Sequence, residues 1–195
     1  HTPAAHGARP IVCVGDSLTS YTRAGGYPEV LATMVDVPVI NLGEAGITST
    51  EALKKLPELK AARPGVVVIE LGGNDFARDA SLLKTVSRAT VERNLEAFIA
   101  CAAELQAEVI LIEVARGFVV DPYAGLEREL ARRYDLELIS DTTIRRFVLN
   151  SPAAPPGTWL GGPYLSDDGL HPNARGNAVL ARRVLDALER IGAIK

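Results

Sequence analysis

The stretch VVVIELGGND, residues 66–75, joins a continuous apolar run to a turn built of glycine, asparagine and aspartate. Four more short apolar runs lie along the chain: PIVCVG (10–15), VPVINL (37–42), VILIEV (109–114) and LELIS (136–140). Each is followed by a stretch with helical periodicity or helix-start signals. Continuous rather than alternating apolarity indicates strands that are buried on both faces, as in a parallel sheet between two layers of helices.

The connections between these strands restrict the topology. Right-handed crossovers between sequential parallel strands leave few arrangements, and five strands favour the flavodoxin-like order 2-1-3-4-5. The sequence therefore predicts an α/β fold: a three-layer α/β/α sandwich with a five-stranded parallel sheet. Within it, Thr48 and Glu51 fit a capping box at a helix start, and Pro57 is expected to kink or end that helix.

Length and composition favour one domain. A chain of 195 residues that is 47% hydrophobic can bury a substantial core, so we expect an N-terminal tail over 1–9 and a single domain over 10–195. Its 21 basic and 24 acidic residues are spread along the chain, without the basic stripe that nucleic-acid binding requires. No run approaches the ~20 apolar residues of a membrane span, so we expect a soluble chain without stable membrane insertion.

The sequence says less about the location, the oligomeric state and the cofactors of this protein than about its fold. The chain begins at His1 rather than Met, so periplasmic, secreted and cytoplasmic locations all stay open, as does the oligomeric state. Cys13 and Cys101 lie within apolar stretches and are expected to be buried free thiols. Neither has a second cysteine or a histidine at ligand spacing, and the chemistry considered below needs no metal or organic cofactor.

Three turns follow the first three predicted strands: Gly15-Asp16-Ser17-Leu18, residues 41–46 (NLGEAG) and residues 72–75 (GGND). In open α/β sheets, ligands bind beyond the carboxyl ends of the strands. Each turn taken singly has an ordinary explanation, since these residue types serve turns and helix caps. Together they place a hydroxyl, a glycine amide and a carboxamide on one rim, which is the inventory of a nucleophile with an oxyanion hole.

A serine nucleophile needs a base, and the chain has three histidines. His1 and His6 lie in the predicted tail, which leaves His171, within DDGLHPN, just before the last predicted helix. Asp168 stands three residues before His171, so its carboxylate could hold the Nδ1–H and turn Nε2 toward Ser17. The alternative for His171 alone is a helix-cap or surface role.

Four segments, taken in order, resemble the blocks of the GDSL, or SGNH, hydrolase family. They are GDSL around Ser17, N-x-G-x-x-G over 41–46, GGND over 72–75, and DGLHP over 168–172. The resemblance implies an esterase in which Ser17 is the nucleophile, His171 the base and Asp168 the residue that orients it. It also implies an oxyanion hole made by the backbone amides of Ser17 and Gly43 with the Asn74 carboxamide, while Asp16 holds the turn.

The stretch IELGGND, followed by a long amphipathic helix, is similar to the bacterial arylesterase, thioesterase and lysophospholipase branch of that family. Two residues depart from the branch: Ile47 stands where an acid is usual, and Glu44 adds a charge beside the oxyanion glycine. Both bear on substrate range. Apolar loop residues either wall an acyl pocket or cover the sheet edge; they are Phe76, Phe118, Val119, Trp159, Leu160 and Tyr164.

The sequence thus predicts a serine hydrolase of short to medium acyl esters, with thioesters or lysophospholipids as further substrates and a small-molecule acyl ester as its partner. One alternative is a carbohydrate O-acetylesterase with the same residues. Another is a non-enzymatic, flavodoxin-like domain that binds a phosphate or nucleotide at the helix N-terminus after the first strand. Residues 15–20 contain neither G-x-G-x-x-G nor G-x-x-x-x-G-K-[ST], which argues against the second alternative.

Overall fold

Five parallel strands form one sheet with the order β2-β1-β3-β4-β5, which confirms the predicted α/β class and strand order. The strands are β1 (Ile11–Gly15), β2 (Val39–Asn41), β3 (Val66–Glu70), β4 (Glu108–Ile112) and β5 (Glu137–Ile139). The structure is a computed structural model, and it describes residues 9–20, 26–75, 86–114, 123–140 and 171–194.

Helices pack on both faces of this sheet. They are α1 (Ser17–Ser20), α2 (Tyr27–Ala32), α3 (Ser49–Ala52), α4 (Leu56–Ala62), α5 (Arg88–Glu104), α6 (Leu126–Tyr134) and α7 (Ala174–Arg190). One face carries α3, α4, α5 and α6, and the opposite face carries α2 and α7. No helix in the described ranges combines the length and apolarity needed to cross a membrane.

Burial on both faces explains the continuous apolar runs of the central strands β1, β3 and β4, whereas the edge strands β2 and β5, also expected to be buried, are partly exposed. In β1, Val12 and Val14 belong to the core under α3–α6, while Ile11 and Cys13 belong to the core under α2 and α7. Successive side chains of a strand point to opposite faces, so a strand covered on both sides needs an apolar residue at nearly every position. Cys13 and Cys101 are buried free thiols, as predicted.

The predicted capping box is confirmed at the start of α3. Thr48 accepts a hydrogen bond from Glu51 N, and the Glu51 side chain accepts one from Thr48 N at 2.9 Å. After α3 the chain tightens into a 3₁₀ turn over Leu53–Lys55, and α4 then begins with Pro57 in its first turn. Pro57 therefore marks a break between two helices, because proline fits a first turn but not a helix interior.

The strand register brings the three predicted turns to one edge of the sheet. Gly15 pairs with Glu70 at the ends of β1 and β3, and Cys13 pairs with Asn41 at the end of β2. Because all three strands run in parallel, the segments that follow them leave the sheet at the same edge. Residues distant in the sequence therefore meet above β1.

The opposite edge of the sheet is held by the side chain of Arg9. Its guanidinium donates hydrogen bonds to the carbonyl oxygens of Arg63, Pro64, Leu105 and Gln106, which lie where α4 and α5 end. The last carbonyl groups of a helix have no intrahelical donors and carry partial negative charge. A single cation thus satisfies two helix ends at the point where β1 begins.

We expect Arg9→Ala to lower the free energy of unfolding by about 1.5–3 kcal/mol, because hydrogen bonds from a charged donor are lost at partly buried carbonyl groups. Urea unfolding followed by circular dichroism measures the change. The control is Arg182→Ala, since Arg182 is exposed and its ion pair within the described residues is the i,i+4 pair with Asp186; its cost should stay below about 1 kcal/mol. Equal free energies of unfolding for the two variants would show that the Arg9 side chain does not stabilise the fold.

Candidate active site

Ser17 begins a short helix immediately beyond β1. Asp16 Oδ1 accepts a hydrogen bond from Leu18 N at 2.9 Å, and Asp16 O accepts from Thr19 N and Ser20 N. These bonds fix the turn that presents the Ser17 hydroxyl, which is the role expected of Asp16. Gly15 permits the close approach, because a Cβ at this position would overlap Thr19 and lie 2.8 Å from Glu70 O.

His171 reaches the serine from the other end of the chain. Its Nε2 lies 2.8 Å from Ser17 Oγ, in a partly buried contact between residues 154 positions apart. Two features anchor the segment: Pro172 is buried, and Asn173 caps α7 by accepting from Arg175 N and Gly176 N. The distance and the atoms fit a hydroxyl whose proton can pass to an imidazole nitrogen.

Asp168, the predicted partner of His171, lies outside the described residues. So do the candidate pocket residues Phe76, Phe118, Val119, Trp159, Leu160 and Tyr164. Their predicted roles stay predictions.

Gly43 packs directly against α1, the short helix that begins at Ser17. A Cβ at Gly43 would lie 2.8 Å from Ser20 N and 2.9 Å from Thr19 Cγ2, so only glycine fits this approach. The Gly43 N–H already donates to Asn41 Oδ1 at 2.9 Å. An oxyanion at this position would therefore share the N–H with Asn41 or displace it.

Asn74 lies beside Asp16 on the same rim. Its Nδ2 group donates to Asp16 Oδ2 at 3.2 Å and to Ile47 O at 3.0 Å. These two bonds orient the carboxamide, and both use the NH₂ group that the sequence assigns to an oxyanion. The structure thus brings Ser17, His171, Gly43 and Asn74 to one rim. In the absence of substrate, Gly43 N and Asn74 Nδ2 already donate hydrogen bonds to other residues of the protein.

Sequence reasoning assigned no role to Asn41, although it begins the N-x-G-x-x-G block. Besides accepting from Gly43 N, its side chain donates to Thr19 O at 3.0 Å and to Glu29 Oε1 at 2.9 Å. Asn41 therefore ties the second turn to α1 and α2. Its place at the end of an apolar run was the available signal, but its partners could not be read from spacing.

A second missed group is a buried polar cluster beneath Asn74. Asp75 has no exposed surface and accepts from Ser49 N at 2.8 Å and Ser49 Oγ at 2.6 Å. Asn94, on α5, donates to Ser49 Oγ and to Thr50 Oγ1, both at 2.9 Å. The cluster joins the GGND turn to α3 and α5 and so supports the backbone that carries Asn74.

Glu44, beside Gly43, forms ion pairs with Lys54 at 2.7 Å and Lys55 at 3.3 Å. Hydrogen bonds from these lysines, first Lys54 and then Lys55, lower the pKa of Glu44, so this carboxylate is ionised. Next to it, a shallow depression is lined by Glu44, Ala45, Gly46, Ile47, Glu51 and Lys54. The surface beside the turn over 41–46 therefore carries charged side chains.

The described residues contain no group of three or more histidine, cysteine, aspartate or glutamate side chains that could hold a metal ion. Within these ranges, the chemistry of the rim is that of a hydroxyl, an imidazole, amide N–H groups and a buried carboxyl group.

Comparisons with known proteins agree on a family and a fold. The GDSL-like lipase/acylhydrolase family matches residues 13–179. The chain is 26% identical over 178 residues to thioesterase 1/protease 1/lysophospholipase L1 of Escherichia coli, which covers 85% of this chain and 76% of that protein. It is 31% identical over 116 residues to esterase TesA of Pseudomonas aeruginosa, which covers 55% of each chain.

Among solved structures, a mutant of the acetyl-xylooligosaccharide esterase Axe2 from Geobacillus Stearmophilus superposes with a TM-score of 0.72 at 22% identity. The match covers 92% of this chain and 94% of that one. At this identity the likeness shows a shared fold.

Ser49→Ala should lower the free energy of unfolding by about 1–3 kcal/mol, because the buried Asp75 carboxyl and the Asn94 amide each lose a partner. Chemical denaturation measures the loss. Thr50→Ala is the matched control: it removes an exposed acceptor of the same Asn94 amide, which water can replace, so its cost should be less than half as large. Equal costs would mean that the cluster does not support the turn.

Proposed function

This chain belongs to the GDSL-like lipase/acylhydrolase family and is a carboxylic ester hydrolase, and from this premise we propose that it cleaves short to medium acyl esters through an acyl-enzyme on Ser17. The observation that carries the proposal is the 2.8 Å contact between Ser17 Oγ and His171 Nε2. A hydroxyl at its ordinary pKa is a weak nucleophile, and a hydrogen-bonded imidazole activates it.

The proposed reaction has two half-cycles. His171 Nε2 takes the Ser17 proton as Oγ attacks the acyl carbonyl, and a tetrahedral oxyanion forms. When the carbon–oxygen bond to the leaving group breaks, His171 gives the proton to the departing alcohol. Water, activated by the same nitrogen, then attacks the acyl-enzyme and releases the acid. Asp168 would hold the Nδ1–H of His171 in this scheme.

Three N–H donors would hold the oxyanion: Ser17 N, Gly43 N and Asn74 Nδ2. The Ser17 amide lies at the start of α1, where helix amides lack an intrahelical acceptor. Gly43 N and Asn74 Nδ2 are engaged at rest with Asn41, Asp16 and Ile47. Their bonds to the oxyanion would form as these resting bonds lengthen, so the donors are oriented before the charge develops.

Ser17→Ala and His171→Ala should each abolish hydrolysis of p-nitrophenyl esters, because the attacking atom or its base is absent. The measurement is kcat/KM over a series from acetyl to palmitoyl, with folding checked by circular dichroism. The control, Ser20→Ala, removes a hydroxyl from the far end of the same short helix and should retain activity. Turnover that persists in folded Ser17→Ala would overturn the assignment of the nucleophile.

Asn74→Ala should reduce kcat by about 10²–10³-fold while leaving KM within a few-fold, since an oxyanion donor acts mainly in the transition state. Steady-state kinetics on a p-nitrophenyl ester separate the two constants. A rise in KM at unchanged kcat would instead place Asn74 in ground-state binding.

The relatives' names support substrates beyond simple esters. Proteins similar to this chain are named as a thioesterase, a lysophospholipase and an esterase, so thioesters and lysophospholipids are proposed as further substrates. Esters, thioesters and lysophospholipids all present an acyl carbonyl that a serine hydroxyl can attack, and they differ in the leaving group.

Carbohydrate O-deacetylation is a second candidate function. Glu44 and Lys54 line the depression beside the turn over 41–46, and their charged groups can hydrogen-bond the hydroxyl groups of a sugar. A fold likeness to an acetyl-xylooligosaccharide esterase is compatible with it. Release of acetate from acetylated xylooligosaccharides, without turnover of butyryl and longer p-nitrophenyl esters, would favour this candidate. The reverse pattern would favour the acyl esterase.

A further inference from the structure

Two carboxyl groups lie side by side beneath the turn that carries Ser17. Asp16 is 3% exposed and Glu70, the last residue of β3, is 1% exposed. Glu70 Oε2 accepts from Thr19 Oγ1 at 3.2 Å and from Asp16 N at 3.4 Å. The negative charge of Asp16 acts directly on Glu70. Two buried carboxyl groups this close are not both ionised, because like charges at short range in a poorly solvated space favour the neutral form of one of them.

The surrounding donors indicate which group holds that proton. Burial raises the pKa of Asp16 as well, but its carboxylate has two N–H donors: Oδ1 accepts from Leu18 N and Oδ2 accepts from Asn74 Nδ2. Glu70 Oε1 is buried and has no N–H or O–H donor among the described residues. A negative charge on that oxygen would be costly, so the proton is better placed on Glu70 than on Asp16.

The charges around the pair support this assignment. Burial, and after it the negative charge of Asp16, raises the pKa of Glu70. Burial also raises the pKa of Asp16, but the Leu18 amide and Glu70 act in the opposite direction on that pKa. Tyr27 faces Glu70 from α2, and Asp75 and His171 act on Asp16 from the neighbouring segments. Of these three groups only His171 can become positive, and it does so when it accepts the Ser17 proton.

We propose that Glu70 is a positioning residue that is held protonated in the resting enzyme and keeps the buried pair at a single negative charge on Asp16. Its Oε2 fixes the Asp16 amide and the Thr19 hydroxyl, and its neutral state spares the Asp16 carboxylate, which Leu18 N and Asn74 Nδ2 hold, a second negative charge beside it. Glu70 thereby acts through Asp16 on the Ser17 turn, the Asn74 amide and the charge near His171. This role in turnover rests on the proposed function.

The protonation itself is tested without any substrate. A carboxyl group whose pKa is higher in the folded state takes up a proton on folding, so its contribution to stability is present below its ordinary pKa and lost as pH rises. In urea unfolding at a series of pH values, wild type should therefore lose stability relative to Glu70→Gln as the pH rises above the ordinary pKa of a glutamate, by up to about tenfold in the folding constant per pH unit. Parallel pH dependence in the two proteins would overturn the assignment.

Kinetics on a p-nitrophenyl ester test the positioning. Glu70→Gln keeps a donor and an acceptor and should retain kcat/KM within about threefold at neutral pH, whereas Glu70→Leu should lose about tenfold or more in kcat at similar KM. The wild-type rate should also fall once the pH is high enough to ionise Glu70, and Glu70→Gln should lack that fall. Glu108→Gln, exposed at the far end of β4, is the control and should behave as wild type.

The outcomes separate the two proposals. Wild-type kinetics in Glu70→Leu would remove the positioning role, and a Glu70→Gln enzyme as slow as Glu70→Leu would show that the pair needs the charge on Glu70. If Glu70→Leu fails to fold, Glu70→Gln and the unfolding series still decide. A wild type inactive on esters and thioesters would defeat the proposed function, while the unfolding series would still test the proton on Glu70.

Discussion

The site depends on the parallel pairing of β1 with β3. This register places Gly15 opposite Glu70, so the turn after β1 and the turn after β3 leave the sheet side by side. Apolar side chains on both faces of these strands hold the register, because a slip of one residue would exchange the two faces and misalign both cores. Packing in the core therefore sets which polar groups meet at the edge.

Polar groups buried behind the rim make the turns rigid. Asp16, Asn41, Asp75 and Ser49 each bond to backbone or side-chain groups of another element. An unpaired buried polar group is costly, so each partner restrains the other's position. The hydroxyl and amide groups on the rim are thus supported from beneath by hydrogen bonds between elements. This is the arrangement that preorganised electrostatic stabilisation requires.

The same arrangement concentrates acidic groups close to Ser17. Asp16, Glu70 and Asp75 are buried in neighbouring segments, and each is accommodated differently. Asp75 receives two bonds from Ser49, Asp16 receives amide bonds, and Glu70 has one oxygen without a donor among the described residues. Electrostatics at the rim follow from these differences, because burial favours the neutral form wherever donors do not stabilise the anion.

Much of this protein could be predicted from its sequence alone. Continuous apolar runs predicted a parallel sheet covered on both faces, and the handedness of the crossovers predicted its strand order. The turns after the runs pointed to Ser17, Gly43 and Asn74. His171 followed because it is the one histidine outside the tail. Local signals such as the Thr48–Glu51 capping box were equally readable, because both partners lie within one helical turn.

Only the tertiary structure decided which distant side chains touch. The hydrogen bond from Asp16 N to Glu70 Oε2 and the bonds from Asn94 to Ser49 and Thr50 join residues tens of positions apart. Sequence spacing carries no information about such contacts. Glu70 looks like the polar end of an apolar run, and Asn94 like one more polar residue of a long helix. Their roles arise from strand register and helix packing, which bring polar atoms within hydrogen-bond distance in a space that water does not enter.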